Sequence, residues 1–218
     1  MRRGMIAVLR RWRRLGIVLM LGLLGGCGSG EPPQQTAVDP SPPQATAAPP
    51  AASIAVDLVD HAELLERIAA RRGQVVILDC WSTSCPPCIK EFPGLVALAR
   101  DFGAKVACLS LSFDYEGFGT PEEVLPPVRE FLTDVGATNV ENLLGREDSD
   151  TLYEKLQLTS VPAVYVYGPE GKLRQRFDDD YAAKELGRPF TYADVRGLVA
   201  ATLAEKAGPA AAATEDSR

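Results

Sequence analysis

Four apolar side chains stand in a row at Val75-Val76-Ile77-Leu78, and a second apolar run occupies Val106 to Leu111. Unbroken runs of this length suit strands covered on both faces, as in a parallel sheet. The pattern predicts a strand over Gln74 to Cys80, a helix over Cys85 to Phe102, and a second strand after it, together a parallel βαβ unit. Upstream, Asp60 with Glu63 three residues on has the form of a helix N-cap. Leu64, Leu65, Ile68 and Ala69 make one apolar face, and Gly73 closes that helix. Downstream, Thr120-Pro121-Glu122-Glu123 opens a further helical segment. Pro126 and Pro127 should break or restart it before Val128 to Val135. Ser149 to Leu156 reads as a short helix and Val161 to Tyr167 as a strand. Gly168 to Lys172 turns that strand into Leu173 to Phe177, an antiparallel hairpin. An amphipathic helix over Thr191 to Lys206 ends the pattern, and there is no internal repeat.

The ends of the chain do not share this patterning. Met1 to Arg14 carries six arginines and no acid, Leu15 to Leu24 is apolar, and Leu24-Gly25-Gly26-Cys27 follows. A basic region, a short apolar region and small residues describe an export signal. The last four residues resemble a bacterial lipobox, with Cys27 the lipid-modified first residue of the mature protein; an uncut signal anchor is the alternative. From Gly28 to Ser53 the chain is mostly Pro, Ala, Gln, Ser and Thr. About 25 residues of extended polyproline at about 3.1 Å each could hold a domain roughly 75 Å from a membrane. The organisation expected is a signal and anchor at 1–27, a linker at 28–53, one folded domain at 54–206 and a frayed tail at 207–218.

Length and charge narrow the picture. A chain of 218 residues, 46% hydrophobic and 24% charged, supports one domain with a sizeable core. Its formal net charge is −6; without the six leader arginines the balance is 17 basic to 29 acidic residues, near −12. Such a surface repels nucleic acid and anionic lipid, so attachment to a membrane falls to the lipid or the apolar leader.

The candidate chemistry sits where the first strand meets the helix. Cys85-Pro86-Pro87-Cys88 places a thiol at a helix N-terminus, where unpaired N–H groups and the macrodipole favour the thiolate. Cys88 lies one turn along, within disulfide reach and better shielded. Attack by Cys85 and resolution by Cys88 is the natural division of labour. Asp79, at the end of a buried strand, should have a raised pKa and could accept the Cys88 proton; capping a loop is its other reading. Trp81 would shield the site. One histidine in the chain, His61 beside a helix cap, leaves little for zinc or copper.

Asp79-Cys80-Trp81, Cys85-Pro86-Pro87-Cys88, Pro93 five positions on, and Val161-Pro162 before a strand and hairpin resemble the thioredoxin fold. With the export leader, they are most similar to the TlpA/ResA-like thiol-disulfide oxidoreductases of the bacterial envelope, over about residues 54–206. The resemblance implies an α/β three-layer sandwich with a central mixed β-sheet and an inserted helical segment. It implies a catalytic Cys85–Cys88 disulfide that needs no other cofactor, with Asp79 as proton acceptor. It implies a cis Pro162 packed against the disulfide, with the Val161 backbone offered to substrate beside Trp81, Pro86 and Pro87. The residues themselves leave the isomer open, since X-Pro is the one bond where cis is cheap. The chain departs from the pattern in two places. Ser84 replaces a common aromatic before Cys85, and Val106 to Phe113 has no Lys or Glu to couple to Asp79.

Two other chemistries share these residues. Cys80, Cys85, Cys88 and Cys108 have the C-x4-C-x2-C…C spacing of plant-type [2Fe–2S] carriers, but Cys80 and Cys108 fall within apolar strands; as thiols they are buried small hydrophobes or a Cys80–Cys108 disulfide. A peroxiredoxin-like thiol peroxidase would use Ser82, three residues before Cys85, although Leu78 stands where that motif places a proline. Pro-Pro between the cysteines lacks the histidine of strongly oxidising relatives. The expectation is therefore a reductant of exported protein disulfides, apocytochrome c thiols among the candidate clients, recharged by a membrane electron donor.

Overall fold

The computed structural model describes residues 54–207. The expected signal, the linker, Cys27 and the tail beyond residue 207 lie outside the described residues. The expected central unit is present: β2 (Val75–Trp81), α2 (Pro86–Phe102) and β3 (Val106–Ser112), with β2 and β3 parallel over their full length. The hairpin is β5 (Ala163–Tyr167) and β6 (Leu173–Phe177), and β5 runs antiparallel to β2.

Two strands were not expected. β1 (Asp57–Val59) and β4 (Glu141–Gly145) are parallel to each other, and β4 pairs with β3, giving the sheet order β1-β4-β3-β2-β5-β6. The inserted segment is therefore not only helical. Its polar Asn142 sits in the sheet because the side chain is fully employed, donating to the Ala137 and Val140 carbonyls (3.0 and 3.1 Å) and accepting from Ser110 (3.0 Å).

The helices divide the sheet into two faces. α1 (His61–Ala70) and α4 (Ser149–Leu156) pack Leu64, Ile68, Leu152 and Leu156 against Val76, Leu78 and Cys80. On the other face α2, α3 (Leu125–Asp134) and α6 (Tyr192–Ala207) cover Val75, Ile77 and Trp81. Alternation along β2 decides which residue goes where. The result is the thioredoxin-like three-layer α/β sandwich.

Local chemistry explains the boundaries. Asp60 and Glu63 form a reciprocal capping box at 2.9 Å each way, but α1 stops at Ala70, before Gly73. Thr120 and Glu123 cap a 3₁₀ turn, Pro121–Val124. Pro126 and Pro127 do not break the helix that follows. They occupy its first turn, where a missing N–H costs nothing, and α3 begins at Leu125. A single turn α5 (Asp179–Tyr181) and a π-turn (Ala182–Leu186) then lead toward α6.

Candidate active site

β2 sets the site by its parity. Asp79 and Trp81 point to the face covered by α2 and α6, and Cys80 between them points to the other. After Trp81 the chain turns through Ser82-Thr83-Ser84 before α2 begins. Asp114, just past β3, holds that turn. Its carboxylate accepts from Thr83 N–H and from Ser82 Oγ (both 3.0 Å), from Ser112 Oγ (2.5 Å) and from Thr83 Oγ1. Sequence reasoning did not single out Asp114; apart from Ser112 its partners, Ser82 and Thr83, come from the end of another strand.

Cys85 is the N-cap of α2, and Pro86 and Pro87 fill the first two helical positions without needing donors. Cys85 and Cys88 form a disulfide, with Cα atoms 5.3 Å apart. Cys85 is half-buried, whereas Cys88 is 3% exposed and packed among Trp81, Phe92 and Leu95. The backbone N–H of Cys88 donates to Cys85 Sγ at 3.3 Å, a contact that favours negative charge on that sulfur once the disulfide opens. Cys85 Sγ also lies 3.6 Å from the Val161 carbonyl oxygen, within reach of a thiol proton in the reduced pair. The Val161–Pro162 peptide is cis. Pro86 and Pro87 are exposed. Pro87, Glu91, Pro162 and Phe190 border a cleft of about 320 Å³ beside the cysteines.

Trp81 is placed differently from its expected role in touching substrate. It is fully buried, with ring centroids 4.9 Å from Phe92 and 4.8 Å from Phe131. It belongs to the same buried cluster as Cys88 and offers no surface to a docked chain.

Asp79 does not cap a loop. It stands within β2, 4% exposed, and accepts a 2.6 Å hydrogen bond from the Tyr192 hydroxyl at the start of α6. Burial pushes its pKa up to about 7, while the Tyr192 hydrogen bond pulls it down. The side-chain partner that β3 lacks comes instead from the last helix, 113 residues away. Sequence reasoning missed Tyr192, and the one available signal was Gly94. An isolated glycine inside a helix marks a close approach, and a Cβ there would overlap the Tyr192 Cβ and ring.

Cys80 and Cys108 are free thiols on opposite faces of the sheet, so no disulfide joins them. Burial raises both, Cys80 well above the ordinary thiol range and Cys108 to about 12. That placement also separates the four sulfurs of the iron–sulfur spacing, and among the described residues no three His, Cys, Asp or Glu side chains gather as ligands. His61 begins α1, its backbone N–H donating to Glu147 at 3.1 Å. Among the described residues no helix is long and apolar enough to cross a membrane.

No family model matches the chain, and no curated protein does. Among solved structures it is similar to a secreted disulfide oxidoreductase of Mycobacterium tuberculosis homologous to E. coli DsbE, at 18% identity over 61% of this chain and 85% of that one, TM-score 0.47. It is similar to a thioredoxin-family thiol:disulfide interchange protein of Chlorobium tepidum, at 18% identity over 62% and 83%, TM-score 0.46. A third is StoA from Bacillus subtilis, at 16% identity over 58% and 82%, TM-score 0.40.

Proposed function

We propose that the chain is a thiol-disulfide oxidoreductase of the bacterial envelope that reduces disulfides of exported proteins through Cys85 and Cys88. One observation carries the reading: a disulfide at the N-terminus of α2, one sulfur half-exposed and the other buried, with the Val161 carbonyl 3.6 Å from the outer sulfur. The asymmetry supports a division of roles. In the reduced protein the Cys85 thiolate attacks a client disulfide, forming a Cys85–client bond and releasing the first client thiolate. Cys88 then attacks Cys85 Sγ and gives its proton to Asp79. The second client thiolate leaves, and two electrons have passed to the client. The exposed Pro86 and Pro87 and the half-buried Val161-Pro162 edge receive the client.

The basic then apolar leader ending at Cys27 supports export and a lipid anchor on the periplasmic side of the envelope. A reductase there is recharged by a membrane electron donor. The redox-active disulfide is all the cofactor this chemistry needs, and an apocytochrome c oxidised to its disulfide fits the client class. The peroxidase alternative is disfavoured by Ser82, whose hydroxyl is committed to Asp114 and Ser84 and not to Cys85.

Trapping tests the assignment. Cys88→Ser should accumulate clients as mixed disulfides on Cys85; trapping that required Cys85→Ser would reverse attacker and resolver.

A further inference from the structure

Among the described residues no basic side chain settles the charge of Asp79, and the influences on it are its own burial and the Tyr192 hydroxyl. On β3 the residue in register with it is Ser110, whose hydroxyl is turned to Asn142, and on β5 it is Val164. Cys108 on the same face and Cys80 beside it in the strand are thiols whose burial keeps them protonated. From α2 the same apolar cluster receives Cys88, and Glu91 stands one turn further along.

Tyr192 is held in place from three directions. Its backbone N–H donates to Glu91 Oε2 at 3.2 Å, its ring lies against α2 where Gly94 has no side chain, and its hydroxyl reaches Asp79. The α6 N-terminus is further fixed by Asp194, which accepts from Thr191 N–H at 2.8 Å and is clamped by Arg188 at 2.7 and 2.9 Å. A phenol only filling space would not need this constraint on the direction of its O–H.

We propose that Tyr192 is a positioning residue for disulfide exchange: by donating to Asp79 it stabilises the ionised carboxylate that takes the proton of Cys88 when a mixed disulfide is resolved. This rests on the dithiol reading of Cys85 and Cys88. The balance is that of that reading, with the Cys88 proton placed on Asp79. A hydrogen bond to a charged acceptor is strong enough to shift such an equilibrium by about a factor of ten.

The test uses the reduced full chain and Ellman's reagent, which releases one thionitrobenzoate as Cys85 attacks and a second as Cys88 resolves. In the parent the second release should rise with pH through a limb near 7, the value that burial and the opposing Tyr192 hydrogen bond together leave Asp79. Tyr192→Phe should slow that phase about tenfold at pH 6.5 and move the limb about one pH unit alkaline, leaving the first release unchanged. The same substitution in an Asp79→Asn background should change nothing further. Incorporating 3-fluorotyrosine at position 192, a stronger donor of nearly the same size, should move the limb the other way, and it decides the matter if Tyr192→Phe fails to fold. An unmoved limb in both variants, or an equal Tyr192→Phe effect without Asp79, overturns the inference while leaving the dithiol intact. A parent chain with no second release overturns the dithiol reading, and this inference with it.

Discussion

Asp79 and Cys80 are consecutive residues of one strand, both buried, and the pleat sends them into different surroundings. On the Cys80 side, α1 and α4 close an apolar layer of Leu64, Leu78, Leu109 and Leu152 around a thiol with no partner to exchange with. On the Asp79 side, the layer contains Cys88, Trp81 and Tyr192, and one polar contact runs through it from α6 to β2. Burial acts on both groups in the same direction, against charge. What differs is access to a proton carrier and to a reactive sulfur. Desolvation alone makes an inert thiol; desolvation opposed by a hydrogen bond, on the sheet face that also holds Cys88, makes a group that can titrate near neutrality.

Removing the chemistry from the second face should have the largest consequence. Cys85→Ser should reduce disulfide exchange to the background rate, measured by turbidity in insulin reduction, with the fold unchanged by circular dichroism. Next comes Asp79→Asn. Between about pH 4 and 7 the unfolded chain ionises this carboxylate while the folded chain keeps it protonated. The folded state therefore binds more protons there, and parent stability falls as pH rises through that window. Denaturant melts should show the variant gaining on the parent from pH 4 to pH 8 by on the order of a few kcal/mol, with the gain complete above about pH 7. An equal difference at both pH values would mean that the carboxylate is charged in both states.

Gly94→Ala tests the seam between α2 and α6 that positions the phenol. The added methyl must displace Tyr192 or the helix, so the substitution should cost about 1–3 kcal/mol in urea unfolding. The smallest effect belongs to the inert face. Cys80→Ala should cost about 1 kcal/mol and leave the redox midpoint and exchange rate unchanged, read by fluorescence titration. A shifted midpoint would erase the contrast between the faces.

The parts of this arrangement legible in sequence are those written locally. The β2-α2-β3 unit, the Asp60/Glu63 box, the α4 boundaries and the hairpin all have their causes within a few residues. β4 was hidden because Glu141 and Asn142 break its apolar run, and only Ser110, Ala137 and Val140 make a buried asparagine tolerable. Pro126 and Pro127 read as breakers because the helix start, not its interior, was two residues away. The Asp114 anchor and the Asp79–Tyr192 bond join segments 31 and 113 residues apart, which no local pattern encodes.

The central claim is that Cys85 and Cys88 act as one exchanging pair while the other thiols of the domain stand aside. Alkylation of the full chain after equilibration across a ladder of thiol redox buffers, read residue by residue by mass spectrometry, tests it directly. Cys85 and Cys88 should convert together in one two-electron step of about 30 mV per tenfold change, at a midpoint well below roughly −180 mV, with Cys80 and Cys108 unlabelled until the chain unfolds. Conversion of Cys85 or Cys88 without the other, or entry of Cys80 or Cys108 into the same transition, would contradict it.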